Sequence, residues 1–196
     1  MRLILASSSP RRREILGLVG AKFEVIVSDA DESVPSGCAP EDAVCLLAGR
    51  KAGAVLVSHP ELAADCCIVG ADTVVDVDGR ILGKPKDRAD AFSMLSLLSG
   101  RMHLVHTGIC AVMNEKSVAE TVTTRVYFDT LSESAIYDYL DSGEPFDKAG
   151  AYAVQGRGAM FVRGITGDWF NVMGLPARSL NRMISSAFGL SLRDFG

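Results

Sequence analysis

No stretch of this sequence approaches the roughly 20 apolar residues that a membrane-spanning helix requires, so a membrane-embedded protein is not expected. The opening Met1-Arg2-Leu3-Ile4-Leu5-Ala6 places an apolar run after a basic residue. That run is too short for a secretory signal, and Arg11, Arg12 and Arg13 stand where a cleavage region would be expected. The five cysteines (Cys38, Cys45, Cys66, Cys67, Cys110) are odd in number and contain no C-x-x-C, which fits neither a disulfide framework nor a zinc site. They read as reduced core residues of a cytoplasmic protein. Positive charge is not in excess: the net charge is -4, so the surface as a whole repels nucleic acid and anionic membrane, and a polyanion must be met locally.

Several motifs are also missing. Internal repeats, low-complexity tracts and long linkers are absent, as is a G-x-x-x-x-G-K-[ST] loop. Gly156-Arg157-Gly158 lacks the third glycine and the strand-to-helix context of a dinucleotide site. His103 and His106, three apart on an expected strand, fall on opposite faces and cannot share one metal. His59, before Pro60, reads as an exposed helix-end residue.

What remains is a 196-residue chain, 48% hydrophobic and 22% charged, long enough for one domain over 1–196 to bury roughly 70% of its unfolded surface. Residues 3–6 predict a strand, Pro10 to about Val19 a helix ended by Gly20, and Phe23 to Val27 a second strand, a β-α-β opening. A helix is expected over 41–57 and another over 87–99, closed by Gly100. Between them, 67–71 reads as a strand covered on both faces, followed by a hairpin from Val74 to Leu82 around Asp78-Gly79. His103 to Val112 and Val118 to Phe128 form an expected antiparallel pair joined by Asn114-Glu115-Lys116, and Ser132 starts a helix to about Leu140. Residues 143–167 read as a shaped loop with short strands, and a last helix follows Pro176 to about Phe188. The fold class is therefore α/β with a mixed sheet.

Four places carry candidate chemistry. Ser7-Ser8-Ser9-Pro10-Arg11-Arg12 follows the first strand, with Ser9 as N-cap and Pro10 at the first helical position. Cations there oppose the helix dipole by about 0.3–1 kcal/mol each. A bound phosphate meeting the serine hydroxyls, free N–H groups and guanidinium groups would compensate; a solvated basic first turn is the plain alternative. Lys51 falls within the apolar stripe of Val44, Leu47, Ala48 and Val55, whereas Arg50 points elsewhere, so Lys51 faces inward or snorkels over apolar surface. If no carboxylate is fixed beside it, its ammonium carries a desolvation cost in the empty protein. Asp72-Thr73 is expected at the carboxyl end of strand 67–71, where open α/β sheets bind ligands; Asp72 is a metal ligand, a general base or a turn cap. Lys84 follows the hairpin, and Glu32, beside Asp29 and Asp31, is either a second magnesium carboxylate with Asp72 or part of an acidic surface loop.

Taken together, these elements resemble the Maf family of nucleotide pyrophosphatases. The resemblance runs through A-S-x-S-P-R-R (Ala6 to Arg12), D-E-S (Asp31 to Ser33), Lys51-Ala52, G-A-D-T (Gly70 to Thr73), G-K-P (Gly83 to Pro85), G-R-x-H-x-V-x-T-G (Gly100 to Gly108), G-E-P-x-D-K-A-G-A-Y-x-x-Q-G (Gly143 to Gly156) and N-V-x-G-L-P (Asn171 to Pro176). It implies an elongated mixed sheet with two lobes and a central cleft, similar to inosine triphosphate pyrophosphatases, and a homodimer. It also implies cleavage of a nucleoside triphosphate between the α and β phosphates, with a divalent metal, magnesium first and manganese or cobalt as alternatives. The doubled arginine and the D-K-A-G-A-Y-x-x-Q-G run are similar to the branch acting on dTTP and UTP. By that resemblance Asp72 accepts a proton, Lys51 and Lys84 serve catalysis, Ser7, Ser9, Arg11 and Arg12 hold substrate, Thr73 and Gln155 join Arg11 in specificity, and Glu32 with Asp72 holds the metal. Trp169-Phe170 departs from the family's usual step before N-V-x-G-L-P, which leaves room for a shifted base preference. The rival readings are a nucleotide-binding regulator of cell division or septation with little turnover, and an RNA-binding module, which the acidic balance disfavours.

Overall fold

A computed structural model describes residues 1–114 and 116–195. It opens with β1 (Arg2–Leu5), α1 (Pro10–Leu18) and β2 (Glu24–Val25), and β2 runs parallel to β1. The second strand is shorter than the expected 23–27. Its partner β1 stops at Leu5, so after the Ile26 N–H donates to the Leu5 carbonyl at 3.2 Å there is no ladder left to extend. Helix α2 (Pro40–Ser58) follows, starting at a proline with Glu41 and Asp42 in its first turn, both suited to a helix N-terminus. His59 closes it and sits half-exposed beside Glu61, as expected.

The apolar run 67–71 and the first arm of the hairpin turn out to be one strand, β3 (Cys66–Val77). Asp78 (φ 54°) and Gly79 (φ 77°) then turn it back into β4 (Arg80–Leu82), a two-residue connection with positive φ at both positions that matches the natural strand twist. Asp72 and Thr73 are therefore mid-strand, which corrects the expectation that a strand ends at 71. Helix α3 (Arg88–Leu98) is capped by the Asp87 carboxylate, which accepts from the Asp90 N–H at 2.8 Å. Strands β5 (Met102–Met113) and β6 (Lys116–Phe128) pair antiparallel along their lengths. Of the connecting Asn114-Glu115-Lys116, Glu115 lies outside the described residues.

Ser132 caps α4 (Glu133–Asp141). The stretch expected to hold short strands instead folds into three 3-10 turns, Glu144–Asp147, Ala149–Ala151 and Arg157–Phe161, followed by the single strand β7 (Val162–Thr166). A five-residue helix that the periodicity did not disclose, α5 (Trp169–Met173), precedes α6 (Ala177–Phe188). Among the described residues no helix is long and apolar enough to cross a membrane.

Among the described residues, seven strands form one mixed sheet in the order β2-β1-β3-β5-β6-β7, with β4 also on β3. Alternation along β1 sends Leu3 and Leu5 to one face, packed with Ile15, Leu16 and the buried sides of α3, α4 and α6. Ile4 and Ala6 face the other way and meet Ala48, Ala52 and Val55 of α2. Cys66, Cys67 and Cys110 are buried in these layers, and burial pushes the Cys67 thiol up to about 12, as befits a packing residue.

Two features of β3 position the site. First, its edge away from β5 changes partner: β1 pairs with Cys66 to Val69, β4 pairs with Val75 to Val77, and Gly70 to Val74 lie between them without either. The interval divides the molecule into two lobes and leaves a cleft between them. Second, α2 lies directly on the sheet at two glycines. A Cβ at Gly70 would stand 2.1 Å from the Ala48 carbonyl oxygen, and one at Gly108 would stand 2.2 Å from that of Val44. Since the obstruction is backbone, Gly108→Ala should cost at least about 1–3 kcal/mol in urea unfolding, the usual range for overpacking, and reduce turnover along with stability as α2 lifts. A Gly108→Ala protein as stable as its parent would show that α2 is free to shift.

Candidate active site

A cleft of about 580 Å³ opens at the interval in β3. Its walls bring together every residue singled out from the sequence: Ser7, Ser9, Arg11, Arg12, Glu32, Lys51, Asp72, Thr73, Lys84 and Gln155. The first strand stops at Leu5, and its successor Ala6 still donates to the Val69 carbonyl at 2.8 Å. The serine-arginine turn consequently leaves the sheet beside Asp72 and Thr73. The carboxyl end of a strand does face the cleft, but that strand is β1.

Lys51 is fixed by two carboxylates. Its ammonium donates to Asp72 Oδ1 at 2.6 Å and to Glu32 Oε1 at 2.8 Å. The Lys51 and Asp72 side chains are 13% and 15% exposed, whereas Glu32 is 68% exposed, so Asp72 is the desolvated partner and Glu32 reaches in from the water side. This settles the choice between inward-facing and snorkelling, and it corrects the picture of an ammonium without a fixed carboxylate. The bond from Lys51 holds the Glu32 carboxyl below its ordinary value, against a smaller opposing desolvation, with Lys84 and Arg12 adding to the effect. Arg50 grips the same loop from its other side: it donates to the Ser33 carbonyl, while Asp31 accepts from both the Ser33 N–H at 2.9 Å and the Ser33 hydroxyl at 2.7 Å. Adjacent cations of α2 thus hold one acidic loop in place.

The two arginines of the turn separate in role. Arg12 is 8% exposed, which excludes a solvated first turn for it. Its Nε donates to the Gly174 carbonyl at 2.8 Å, one terminal nitrogen to Ser7 Oγ at 3.0 Å and the other to Thr73 Oγ1 at 3.2 Å. Burial lowers its pKa, and the field of Asp72 works against that shift. Arg11 stands at the lip and bridges to Asp147 Oδ2 at 3.2 Å across the opening. Partial burial works against the Asp147 carboxylate, but Lys148 and Arg11 more than offset it and keep its pKa low. Ser9 occupies the N-cap position without the expected side-chain cap, and its own N–H donates to the Ser7 hydroxyl at 3.2 Å. The Ser9 hydroxyl and the first free N–H groups of α1 are left to the cleft.

As metal donors, Glu32 and Asp72 suit magnesium, which takes one or two carboxylates and leaves its other positions to water and phosphate. They come from different elements and already converge on one cation, the Lys51 ammonium. Among the described residues, no group of three or more His, Cys, Asp or Glu side chains is arranged to hold a metal by itself.

A model of the family described as "Maf-like protein" matches residues 2–187. The chain belongs to the Maf family. It is 48% identical to a protein of Bacillus cytotoxicus named dTTP/UTP pyrophosphatase, over 92% of this chain and 93% of the relative, and 45% identical, with the same coverage, to one of Bacillus anthracis bearing that name. Among solved structures, the Ham1 protein of Staphylococcus aureus aligns with a TM-score of 0.44 at 15% identity, over 65% of this chain and 72% of that one, too distant a likeness to carry weight.

Within this Maf cleft, several contributors escaped the sequence reading. Asp147 and Lys148 line it from the 3-10 turns, and Tyr152 is held by His103, whose ring nitrogen lies 2.8 Å from the tyrosine oxygen. Burial takes that histidine down to about 4, so it is a neutral packing partner. His106 lies on the other face and meets Asp76 and Thr123, which agrees with the expected separation of the two rings. Trp169, the departure from the family pattern, stands 45% exposed at the start of α5 and does not line the cleft.

Lys51→Met should now lower both stability and turnover, because it strands Asp72 without its cation. Losing one partner of a fully buried pair costs about 3–5 kcal/mol, and since Asp72 lies at the wall of an open cleft and Glu32 is largely exposed, the expected loss is about 1–3 kcal/mol. A carboxylate with a depressed folded pKa contributes its stability above its unfolded value, here 4.5, and loses it as pH falls through the folded value. The stability gap between parent and Lys51→Met should therefore be constant above that pH and narrow below it. Urea titrations at several pH values check this; a gap that widens in acid would remove the carboxylates as its cause.

Proposed function

We propose that this chain is a nucleoside triphosphate pyrophosphatase that hydrolyses dTTP and UTP to the monophosphate and pyrophosphate, a nucleotide-pool housekeeping activity. The observation that carries the reading is the meeting, in one cleft, of four cationic side chains, Arg11, Arg12, Lys51 and Lys84, with two carboxylates, Asp72 and Glu32. The names borne by the relatives that are 45% and 48% identical support the pyrimidine preference.

In this reading the triphosphate lies along the four cations and displaces the two exposed carboxylates, Glu32 from Lys51 and Asp147 from Arg11, while Asp72 keeps its bond to Lys51. Lys51 holds Asp72 by one oxygen, so the carboxylate is oriented and its other oxygen is left for the attacking water. Asp72 takes the water's proton as the oxygen attacks the α-phosphorus, and the bond to the β-phosphate oxygen breaks. Positioning and charge neutralisation by fixed groups supply most of the rate, as in phosphoryl transfer generally. A divalent cation held by Glu32 and Asp72 would add charge neutralisation at the phosphate oxygens. Thr73, Gln155 and Arg11 line the cleft wall, and in this reading they set specificity. The reading extends to a single domain that pairs as a homodimer in the cytoplasm.

A nucleotide panel with magnesium, and product identification by chromatography, tests the activity: dTMP or UMP with pyrophosphate is expected, and first release of inorganic phosphate and a diphosphate would refute it. Asp72→Asn keeps the shape of the side chain and should reduce turnover by about a hundredfold or more while the protein stays folded. Near-normal turnover in that variant would remove Asp72 as proton acceptor.

A further inference from the structure

The contacts that hold Arg12 continue beyond it in one direction. Arg12 donates to Thr73 Oγ1 at 3.2 Å; Thr73 Oγ1 lies 3.0 Å from Thr107 Oγ1; and Thr107 Oγ1 lies 2.9 Å from the Asn171 carbonyl oxygen. A carbonyl can only accept, so the single hydroxyl proton of Thr107 goes to Asn171. Thr107 must then accept from Thr73, and Thr73, its own proton committed, accepts from Arg12. The order of protons is fixed throughout.

The path also closes on itself. The Asn171 carbonyl accepts a second bond, from the Gly174 N–H at 3.0 Å, and the Gly174 carbonyl is the acceptor for Arg12 Nε at 2.8 Å. One guanidinium is thereby held from two sides by a ring of contacts through β3, β5 and the end of α5. Thr107 is fully buried, does not line the cleft and touches Arg12 only through its neighbours.

We infer that Thr107 is a positioning residue for phosphate binding, joining the two supports of Arg12 and fixing the direction in which Thr73 points its proton. Without its hydroxyl, Thr73 loses its acceptor and is free to turn its proton toward the guanidinium or the cleft. The Asn171 carbonyl loses one of its two donors, and the end of α5 that carries the Gly174 carbonyl is tied less firmly to β5. The inference rests on the proposed role of Arg12 in gripping triphosphate.

The test compares the wild type with Thr107→Val, which keeps the shape and removes the hydroxyl, and with Thr107→Ser, which keeps the hydroxyl. Thr107→Val should reduce kcat/KM for dTTP by about tenfold, mainly through KM, the scale of one lost hydrogen bond, and Thr107→Ser should stay within about twofold of wild type. In an Arg12→Lys background, where the fork of donors is gone, Thr107→Val should cost less than about twofold, a coupling that a merely structural loss would not produce. Wild-type kcat/KM in Thr107→Val, an undiminished effect in the Arg12→Lys background, or a folded Thr107→Ser impaired by about tenfold would each overturn the inference. Should Thr107→Val not fold, the Thr107→Ser result decides. Calorimetry with inorganic tripolyphosphate separates this inference from the activity: a wild type that binds it but turns over no nucleotide overturns the activity alone, and the same tenfold weakening in Thr107→Val then carries the positioning role.

Discussion

The cleft exists because one edge of β3 has two partners that do not meet. β1 leaves at Val69 and β4 joins at Val75, while β5 runs unbroken along the other edge from Ile68 to Asp76. A strand edge without a neighbour is normally a liability that proteins cover or charge. Here five residues of such an edge, centred on Asp72, open into a groove instead, with rigid pairing on the opposite side to hold them straight. The groove would still lack its cations if α2 sat at an ordinary helix-to-sheet distance. Gly70 and Gly108 let the helix backbone descend onto β3 and β5, and this descent brings the Lys51 ammonium to 2.6 Å from Asp72.

The electrostatics of the cleft follow from the same arrangement. A chain of net charge -4 has no general attraction for polyanions, and a cluster of bare cations would be costly to fold. The structure lowers that cost by giving three of the cations carboxylate partners, Asp72 and Glu32 on Lys51 and Asp147 on Arg11 and Lys148, and by holding Arg12 with a carbonyl and two hydroxyls. In the proposed activity, phosphate oxygens exchange for carboxylate oxygens, so the ligand replaces interactions that the protein already makes and does not create them in an empty field. The exposed partners, Glu32 and Asp147, are the ones best placed to yield, because water can solvate them when they let go.

Much of this was legible in the sequence, and the rest was hidden for identifiable reasons. Helical periodicity placed Lys51 inward because a 3.6-residue repeat is local information, and the Pro10, Gly20, Ser132 and Gly100 punctuation set element ends correctly to within a residue or two. The fall in apolar character after Ala71 suggests a strand end there, but the strand continues, since β5 pairs with it as far as Asp76, and Asp72 lines the cleft because neither β1 nor β4 covers that interval. The partners of Lys51 were illegible because Glu32 lies nineteen positions away on a loop whose shape depends on Arg50. The 3-10 turns of 144–161 were missed for a similar reason. Their geometry is imposed from outside, as by Glu144, which accepts from the Tyr139 hydroxyl at 2.8 Å and the Arg157 N–H at 2.9 Å.

The adjacent arginines show how far a motif can carry an argument. Consecutive residues on a helix point about 100° apart, so Ser-Pro-Arg-Arg cannot deliver both guanidinium groups to the same spot. Arg12 turns into the protein and has all three of its nitrogens bonded, to Gly174, Ser7 and Thr73. Arg11 turns to the lip, where its one carboxylate partner is 62% exposed. In the proposed activity the first is a preorganised donor whose orientation is set before a ligand arrives, and the second is an exchangeable donor that can follow a flexible phosphate chain. A site built to hold a reacting phosphate needs a donor of the first kind close to the reacting centre, where misorientation is most costly, and tolerates the second kind only at its margin. The placement of Arg12 beside Thr73 and of Arg11 opposite Asp147 matches that ordering, with the fixed arginine next to Asp72 in the floor of the cleft and the adaptable one at its opening.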